Sequence, residues 1–481
     1  MKKAALALCL GVLASLAVIA SCSRAPQDAA AAHDGDIAII ARARAIIDAL
    51  KSADPAAYEK AAKENFAASL YAERTPDERA GFVRMIAGDL GRMRIDNVET
   101  DGETVDVALA GDTGMIARFR FEFEDAPERK ISRIGVSADA GDGAGAAIDI
   151  PPPAFDASMD ANAIGAALDE WLAPVIDADD FAGVILIARN GDPLIRRITG
   201  AADRKSGAQA DAETAYNIAS IGKIFTKIAI AKLVEDGRLS LDAKISDVIS
   251  DYPNAVTATA SVRQLLDMEA GVADFFGPKF ETQAKDRFAS NHAYYDFVSA
   301  EPATFAPGEA RAYCNGCYVV LGEMIERIAD EPYEAFVQRA VFDPAGMKRS
   351  GYFNARNAHE NVARLYARAD GPGSGYIDAQ DRHGDAGSAA GGVYSTADDL
   401  LKFDNALREG RLLNGAMTVW ALGGGDEDAL RNPSPMGLAG GADGTNALLE
   451  SNGEWTVILT ANVSEPVPEQ LGLAIARALM K

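Results

Sequence analysis

Ser220-Ile221-Gly222-Lys223 is the stretch of this 481-residue sequence that says most about its fold. It follows an apolar lead-in, Tyr216-Asn217-Ile218-Ala219. If a helix begins at Ser220, residues i and i+3 share one face, and the Lys223 nitrogen can reach the Ser220 oxygen. A serine hydroxyl needs a base to act as a nucleophile, and lysine is a base only when burial or a nearby cation disfavours its ammonium form. The spacing therefore indicates a nucleophile beside its base.

The residues after Lys223 predict that this helix is buried. Apolar side chains recur there at helical spacing, and Gly237 is placed to end the helix. These apolar positions are Ile224, Phe225, Ile228, Ala231 and Val234. The alternative is a serine that merely precedes a core helix, since a chain of this length contains about one S-x-x-K by chance. The tetrapeptide alone does not decide between the two.

Other motifs follow in order along the chain. Residues 181–200 join an apolar strand, Val184–Ala188, to the turn signal Asn190-Gly191 and predict a β-hairpin. The later motifs are Phe305-Ala306-Pro307-Gly308, Tyr313-Cys314-Asn315, Asp343-Pro344-Ala345-Gly346-Met347 and Gly391 to Leu400. With S-x-x-K, these segments resemble the class C β-lactamase and penicillin-binding-protein-like serine hydrolases over roughly residues 157–481.

The resemblance implies acyl transfer on a small-molecule or peptide-like acyl substrate. Ser220 would attack a carbonyl, while Lys223 and Tyr313 accept its proton and pass it to the leaving group. Asn315 would bind Lys223 and the substrate's amide oxygen. The backbone N–H groups of Ser220 and Gly441 would form the oxyanion hole.

Y-x-N occurs three times, and the order of motifs selects one. Tyr252-Pro253-Asn254 has a central proline and is typical of a turn. Tyr352-Phe353-Asn354 follows the Asp-Pro-x-Gly-Met element and is interpreted as a loop. Tyr313 alone follows Phe-x-Pro-Gly and precedes a predicted helix, so it is the residue that the resemblance assigns to the site.

The late strand departs from the family pattern. Relatives carry K-T-G or H-x-G there, whereas this chain has Leu438 at the lysine or histidine position. We place Leu438 at the substrate-binding edge, where the loss of a polar side chain favours an ester over a β-lactam or a D-alanyl peptide. The same departure leaves a second hypothesis open, a catalytically silent cell-envelope binding protein on this fold.

The N-terminus predicts export. Residues 1–21 combine Met1-Lys2-Lys3 with an apolar run and are typical of a signal peptide. The end of the run, Ile19-Ala20-Ser21-Cys22, resembles a bacterial lipobox, with Cys22 as the lipidated residue and 22–35 as a tether. We expect a lipoprotein anchored in the outer membrane and facing the periplasm; ordinary signal cleavage with a free Cys22 is the alternative.

Cys314 and Cys317 flank the Y-x-N asparagine. In an oxidising periplasm they could form a disulfide, and two buried thiols fit equally well. A redox-active C-x-x-C is disfavoured because no thioredoxin-like βαβ pattern surrounds it. The four histidines do not form a metal-binding pattern, and no metal or other cofactor is expected.

The charge limits the possible partners, and the helix and strand patterns predict the domains. A formal charge of −24 with dispersed acidic residues argues against nucleic acid as a partner. Helix and strand patterns over residues 36–138 predict a small α+β domain resembling NTF2-like modules, whose protein partner the sequence does not identify. A linker, 139–156, would lead to the hydrolase domain at 157–481. The predicted fold is thus a multi-domain α+β chain, with an antiparallel sheet flanked by helices and an all-α lobe inserted between 225 and 410.

Overall fold

The computed structural model describes residues 34–72, 75–90, 92–100, 104–111, 115–125, 127–140, 150–354, 361–369, 375–422, 436–464 and 467–480. The predicted signal peptide, Cys22, most of the tether and half of the linker lie outside these residues. Among the described helices, we find none with the length and apolar character needed to cross a membrane.

The first part of the chain is helical and then forms a meander. Its helices are α1 (Asp34–Lys51), α2 (Pro55–Asn65), α3 (Ala68–Ala72) and α4 (Pro76–Leu90). Its strands are β1 (Met93–Thr100), β2 (Thr104–Gly111), β3 (Met115–Phe123) and β4 (Ile131–Ala140). The strands pair antiparallel in sequence order. The likeness of this part to NTF2-like modules stays a prediction.

Apolar and charged side chains alternate along β3, and the apolar ones give this four-stranded sheet a core of its own. Ala117, Phe119 and Phe121 are buried, and they pack with Ile39 and Ile46 of α1. Arg118, between two of them, is only partly buried and Arg120 is exposed. A half-buried antiparallel strand has this pattern, because successive side chains point to opposite faces.

The second part of the chain opens with a helix and the predicted hairpin. The elements are α5 (Ala161–Asp177), β5 (Gly183–Arg189), β6 (Asp192–Thr199) and the short strands β7 (Ala201–Asp203), β8 (Ala208–Gln209) and β9 (Tyr216–Asn217). At the hairpin turn, Asn190 and Gly191 have φ values of 51° and 83°. Two residues with positive φ are what a tight hairpin turn requires, and Asn-Gly supplies them at low cost.

A mainly helical lobe follows, where the sequence predicted an all-α one. Its helices are α6 (Lys223–Glu235), α7 (Ile245–Val248), α8 (Val262–Leu266), α9 (Pro278–Glu281), α10 (Asn291–Val298), α11 (Asn315–Ala329), α12 (Tyr333–Val337), α13 (Asp343–Ala345), α14 (Ala397–Arg408) and α15 (Gly415–Ala421). It also carries β10 (Tyr366–Arg368), β11 (Tyr376–Asp378) and β12 (Tyr394–Ser395). The lobe is therefore not purely helical, because β12 pairs with β9 and ties it to the residues before Ser220.

The chain returns to the sheet through β13 (Met436–Ala442), β14 (Thr445–Ser451) and β15 (Trp455–Ala461), and ends in α16 (Val467–Leu479). The sheet is antiparallel in the order β13-β14-β15-β5-β6. Its inner strand β5 is apolar from Val184 to Ala188 because both faces are covered. Ile185 and Ile187 pack with α5 and α16, whereas Val184 and Leu186 pack in the core that the sheet shares with the lobe.

Candidate active site

Ser220 lies in a tight turn rather than at the first residue of an α-helix. Ala219–Gly222 form a 3-10 turn, and α6 begins at Lys223. The helix that was predicted to begin at Ser220 therefore begins three residues later, at Lys223, and Ser220 lies in the 3-10 turn before it. Ala219, directly before the serine, has a φ of 44°, a left-handed conformation that costs a non-glycine residue on the order of 1 kcal/mol. Such strained residues concentrate at functional sites, and sequence reasoning did not foresee this one.

Helix α6 is buried on all sides and holds Lys223 at its start. The Lys223 ammonium nitrogen lies 3.1 Å from Ser220 Oγ, 2.6 Å from Asn315 Oδ1 and 2.6 Å from the carbonyl oxygen of Ala390. The residue is only 7% exposed. Burial lowers the pKa of Lys223 to about 7, although Asp274 acts in the opposite direction. A substantial fraction of Lys223 is therefore neutral near pH 7 and can accept a proton.

Tyr313 lies on the solvent side of the serine. Its hydroxyl is 2.7 Å from Ser220 Oγ, and the residue is 49% exposed. Lys223 Nζ is 4.8 Å from the centre of the Tyr313 ring. Of the three Y-x-N segments, the one that was selected by motif order is the one that the fold brings to Ser220.

Asn315 is held by a residue that sequence reasoning missed. Its backbone N–H and its side-chain amide both donate to Asp274 Oδ2, at 2.8 and 3.0 Å. This leaves Asn315 Oδ1 facing Lys223. Asp274 lies 41 residues earlier in the chain, in a loop before α9, and no local pattern links the two positions.

A disulfide joins Cys314 to Cys317 at the start of α11. The sequence left a disulfide and two thiols open, and the structure has the former. Gly316, between the cysteines, lets α11 approach the Asp274 loop, because a Cβ there would lie 2.0 Å from the carbonyl oxygen of Ala273. The tight contact holds the start of α11, where Asn315 directly precedes Gly316, against this loop.

Strand β13 passes directly beside the serine turn. A Cβ on Gly440 would lie 2.4 Å from the Ile218 carbonyl oxygen and 2.9 Å from the Ser220 nitrogen. Only glycine permits this approach. Gly441, the next residue, lines the cavity together with Ser220. Leu438 is half-buried against the core and does not belong to the residues that line the described cavity.

The cavity has a volume of about 640 Å³, counted to its open mouth. Ser220, Asn315 and Gly441 lie along it, and most of the remaining surface is aromatic or glycine backbone. The aromatic residues are Phe275, Phe276, Phe280, Tyr294, Phe353 and Tyr394. Sequence reasoning missed them. The pair Phe275-Phe276 before a glycine and a proline was the available signal, because exposed loops seldom carry two adjacent phenylalanines.

A second group of ionisable residues lies on α10 and α11. Possible ligand atoms of His292, Glu323 and Glu326 fall within 4.8 Å of one another. Glu323 is paired with His292 Nδ1 and with Arg327 Nε, both at 2.8 Å. Burial raises the pKa of Glu326 to about 7. These contacts describe an ion-pair network and give no reason to assign it a metal.

Comparisons with known proteins identify related chains. A model of the β-lactamase family matches residues 168–460. Esterase EstB of Burkholderia gladioli is 28% identical over 295 residues, which cover 54% of this chain and 74% of EstB. Penicillin-binding protein 4* of Bacillus subtilis is 28% identical over 248 residues, 47% of this chain and 52% of that protein, so the match spans about half of that relative.

Solved structures show the same fold. A penicillin-binding protein from Bacillus halodurans superposes with a TM-score of 0.56 at 24% identity, over 64% of this chain and 99% of that one. The hydrolase EstCE1 superposes with a TM-score of 0.51 at 20% identity. Because the family match covers more than half of the sequence and the structure has the corresponding fold, this chain belongs to the β-lactamase family.

Proposed function

We propose that this chain is a serine hydrolase that forms an acyl-enzyme on Ser220. The observation that carries the proposal is the hydrogen-bonded series Tyr313–Ser220–Lys223, in which the lysine is buried and its pKa is lowered to about 7. Neutral Lys223 accepts the Ser220 proton as the oxygen attacks the carbonyl carbon. Tyr313 gives a proton to the leaving alcohol and regains one from Lys223.

The remaining groups fit the same reaction. The backbone N–H groups of Ser220 and Gly441 would stabilise the negative charge that develops on the carbonyl oxygen. Asn315 holds Lys223 in place, with Asp274 behind it. Water then attacks the acyl-enzyme and gives a proton to neutral Lys223, the carbon–Oγ bond breaks, Ser220 Oγ takes that proton back, and the acid leaves.

An ester is the substrate that we favour over a β-lactam or a D-alanyl peptide. Leu438 stands where relatives have a lysine or histidine, so a substrate carboxylate has no cation at that position. The 28% identity to esterase EstB supports the same choice. The second hypothesis, a silent binding protein, keeps the fold without turnover, and Leu438 motivates it as well.

The pH dependence of acylation tests the proposal. A lysine whose pKa is lowered to about 7 is protonated below that pH and neutral above it. The rate of acylation by a p-nitrophenyl ester should therefore rise about tenfold per pH unit below pH 7 and level off above it. Stopped-flow release of p-nitrophenol between pH 5 and 10 measures this. No acylation of folded protein at any pH would favour the silent binding protein.

We also propose that the protein is an outer-membrane lipoprotein that faces the periplasm. The support is the sequence alone, Met1-Lys2-Lys3 followed by an apolar run that ends in Ser21-Cys22. Wild-type protein expressed in a Gram-negative host should incorporate radioactive palmitate and sediment with outer membranes. Cys22→Ser should lose the label, whereas Cys9→Ser should keep it. Equal labelling of the wild type and Cys22→Ser would contradict the proposal.

A further inference from the structure

One side of the cavity beside Ser220 is a group of packed aromatic rings that acyl transfer does not itself require. This aromatic wall consists of Phe275, Phe276, Phe280 and Tyr294. The Phe275 ring centre is 4.5 Å from that of Phe276 and 4.9 Å from that of Tyr294. Phe276 is 55% exposed, a large apolar side chain left open to solvent at the mouth. An exposed aromatic that continues a buried aromatic cluster marks a ligand surface.

The opposite side is backbone. A Cβ on Gly384 would lie 2.2 Å from Tyr294 Oη, and a Cβ on Gly387 would lie 2.5 Å from the carbonyl carbon of Gly392. The Tyr294 hydroxyl donates to the Ala386 carbonyl oxygen at 3.0 Å and joins the two sides. The glycines thus pack closely against their neighbours and bring backbone to this part of the lining, and we call the cavity beside this backbone and the aromatic wall the slot.

The slot carries no formal charge near pH 7. Neither lysine, arginine, aspartate nor glutamate lines it among the described residues. Burial lowers the pKa of His383, whose Nε2 lies 2.6 Å from the Asp443 carbonyl oxygen, and burial raises the pKa of Tyr294. The charged side chains close to this lining are engaged within the protein. Lys223 binds Ser220, Asn315 and Ala390, and Asp274 binds Asn315. Asp385 accepts from Asn354, and Arg382 pairs with Asp443 at 2.8 Å. A charged ligand would lose its hydration there without gaining a partner.

The position of Tyr313 indicates which part of a substrate enters the slot. Tyr313 contacts Ser220 Oγ from the solvent side and does not line the cavity. The leaving alcohol must depart toward the group that protonates it, so it departs away from the slot. Asp274, which orients Asn315, directly precedes Phe275, and this places the aromatic wall in a fixed position relative to the reacting carbonyl.

We propose that this slot binds the acyl part of the substrate, and that the substrates are neutral esters of aromatic or other bulky apolar carboxylic acids. The inference rests on the proposed acyl-enzyme at Ser220 and adds the substrate class. Phe276 and the rest of the aromatic wall then determine specificity by burying the acyl group.

The test compares esters that share one leaving group. We expect kcat/KM for p-nitrophenyl phenylacetate to exceed that for the acetate by about tenfold or more, after correction for their rates of alkaline hydrolysis. Methyl p-nitrophenyl succinate, which is neutral, should exceed its free-acid counterpart by at least about tenfold, since only the latter brings a carboxylate into the slot.

Variants of Phe276 test whether the aromatic wall causes these substrate preferences. Phe276→Ala should reduce the ratio of phenylacetate to acetate several-fold, and Phe276→Lys should narrow or reverse the preference for the neutral succinate. Val256→Ala, at another exposed apolar position outside the cavity, should leave both ratios unchanged.

The outcomes separate this inference from the proposed function. The proposed substrate class is wrong if the acetate is hydrolysed through Ser220 but kcat/KM for the phenylacetate is no higher. It is also wrong if Phe276→Ala keeps the full ratio of phenylacetate to acetate. In both cases Ser220 remains the nucleophile. If no ester reacts and Ser220 takes no covalent label, the proposed function fails, and the inference fails with it.

Discussion

Ser220→Ala is expected to lower kcat/KM for an activated ester by about 10⁴-fold or more. The hydroxyl is the only side-chain atom that the site places between Lys223 Nζ and Tyr313 Oη, at 3.1 and 2.7 Å among the described contacts. Without it no acyl-enzyme forms, and only the binding and oxyanion contributions to the rate remain. Steady-state hydrolysis of p-nitrophenyl esters measures the loss.

A matched serine substitution separates chemistry from folding. Ser206→Ala changes an exposed serine between two short strands and should keep wild-type activity. Both variants should unfold within a few degrees of the wild type, because each removes one oxygen atom. Hydrolysis by Ser220→Ala at the wild-type rate would eliminate this serine as the nucleophile.

Lys223→Met is expected to lower kcat/KM by about 10²- to 10⁴-fold, the usual contribution of a general base. Methionine has a similar length and fills the same space without accepting a proton. The variant should also lose the rise in rate near pH 7 that the wild type shows. Lys227→Met is the matched control: Lys227 lies one turn later on α6, burial also lowers its pKa, and its Nζ donates to the Ala421 carbonyl oxygen at 3.0 Å, away from Ser220.

The stability of Lys223→Met has a defined pH dependence. A pKa lowered from 10.5 to about 7 means that burial of Lys223 costs the folded state about 5 kcal/mol below pH 7. This cost disappears as the pH rises from 7 to 10.5, since the lysine then becomes neutral in the unfolded chain too. Replacement also leaves Asn315 Oδ1 and the Ala390 carbonyl oxygen without this donor. Each unsatisfied acceptor lowers the free energy of unfolding by about 1–3 kcal/mol. The two effects largely cancel at pH 7, so the variant stays folded.

The wild type should accordingly gain free energy of unfolding relative to Lys223→Met between pH 7 and pH 10. Chemical denaturation of both proteins at several pH values measures the difference. A constant difference over this range would show that the pKa of Lys223 is not lowered in the folded protein.

Local patterns predicted much of the fold. Asn190-Gly191 predicted the hairpin of β5 and β6 because two positive φ values are needed there, and the alternation around Phe119 and Phe121 predicted β3. S-x-x-K and the ordered Tyr313 motif predicted which side chains meet at Ser220. Each of these signals depends on residues close together in the sequence or on the order of known motifs.

The rest of the site depends on contacts between distant segments. Asp274 reaches Asn315 only because Gly316 lets α11 approach its loop, and the carbonyl oxygen of Ala390 reaches Lys223 from a loop 167 residues later. The turn at Ala219 was missed because alanine is not a residue type that signals a positive φ. The aromatic wall likewise arises from the loop at Phe275-Phe276 and from helices α9 and α10, which only the fold brings together.

Covalent labelling at Ser220 tests the central claim most directly. Folded protein is incubated with a fluorophosphonate at pH 8, digested, and the modified residue is located by mass spectrometry, with Ser220→Ala in parallel. We predict one adduct per molecule, on Ser220, absent from the variant, and slowed at least about tenfold at pH 6 relative to pH 8 because Lys223 is then largely protonated. An adduct on another residue, or no adduct on folded wild-type protein, would contradict the assignment of Ser220 as the nucleophile.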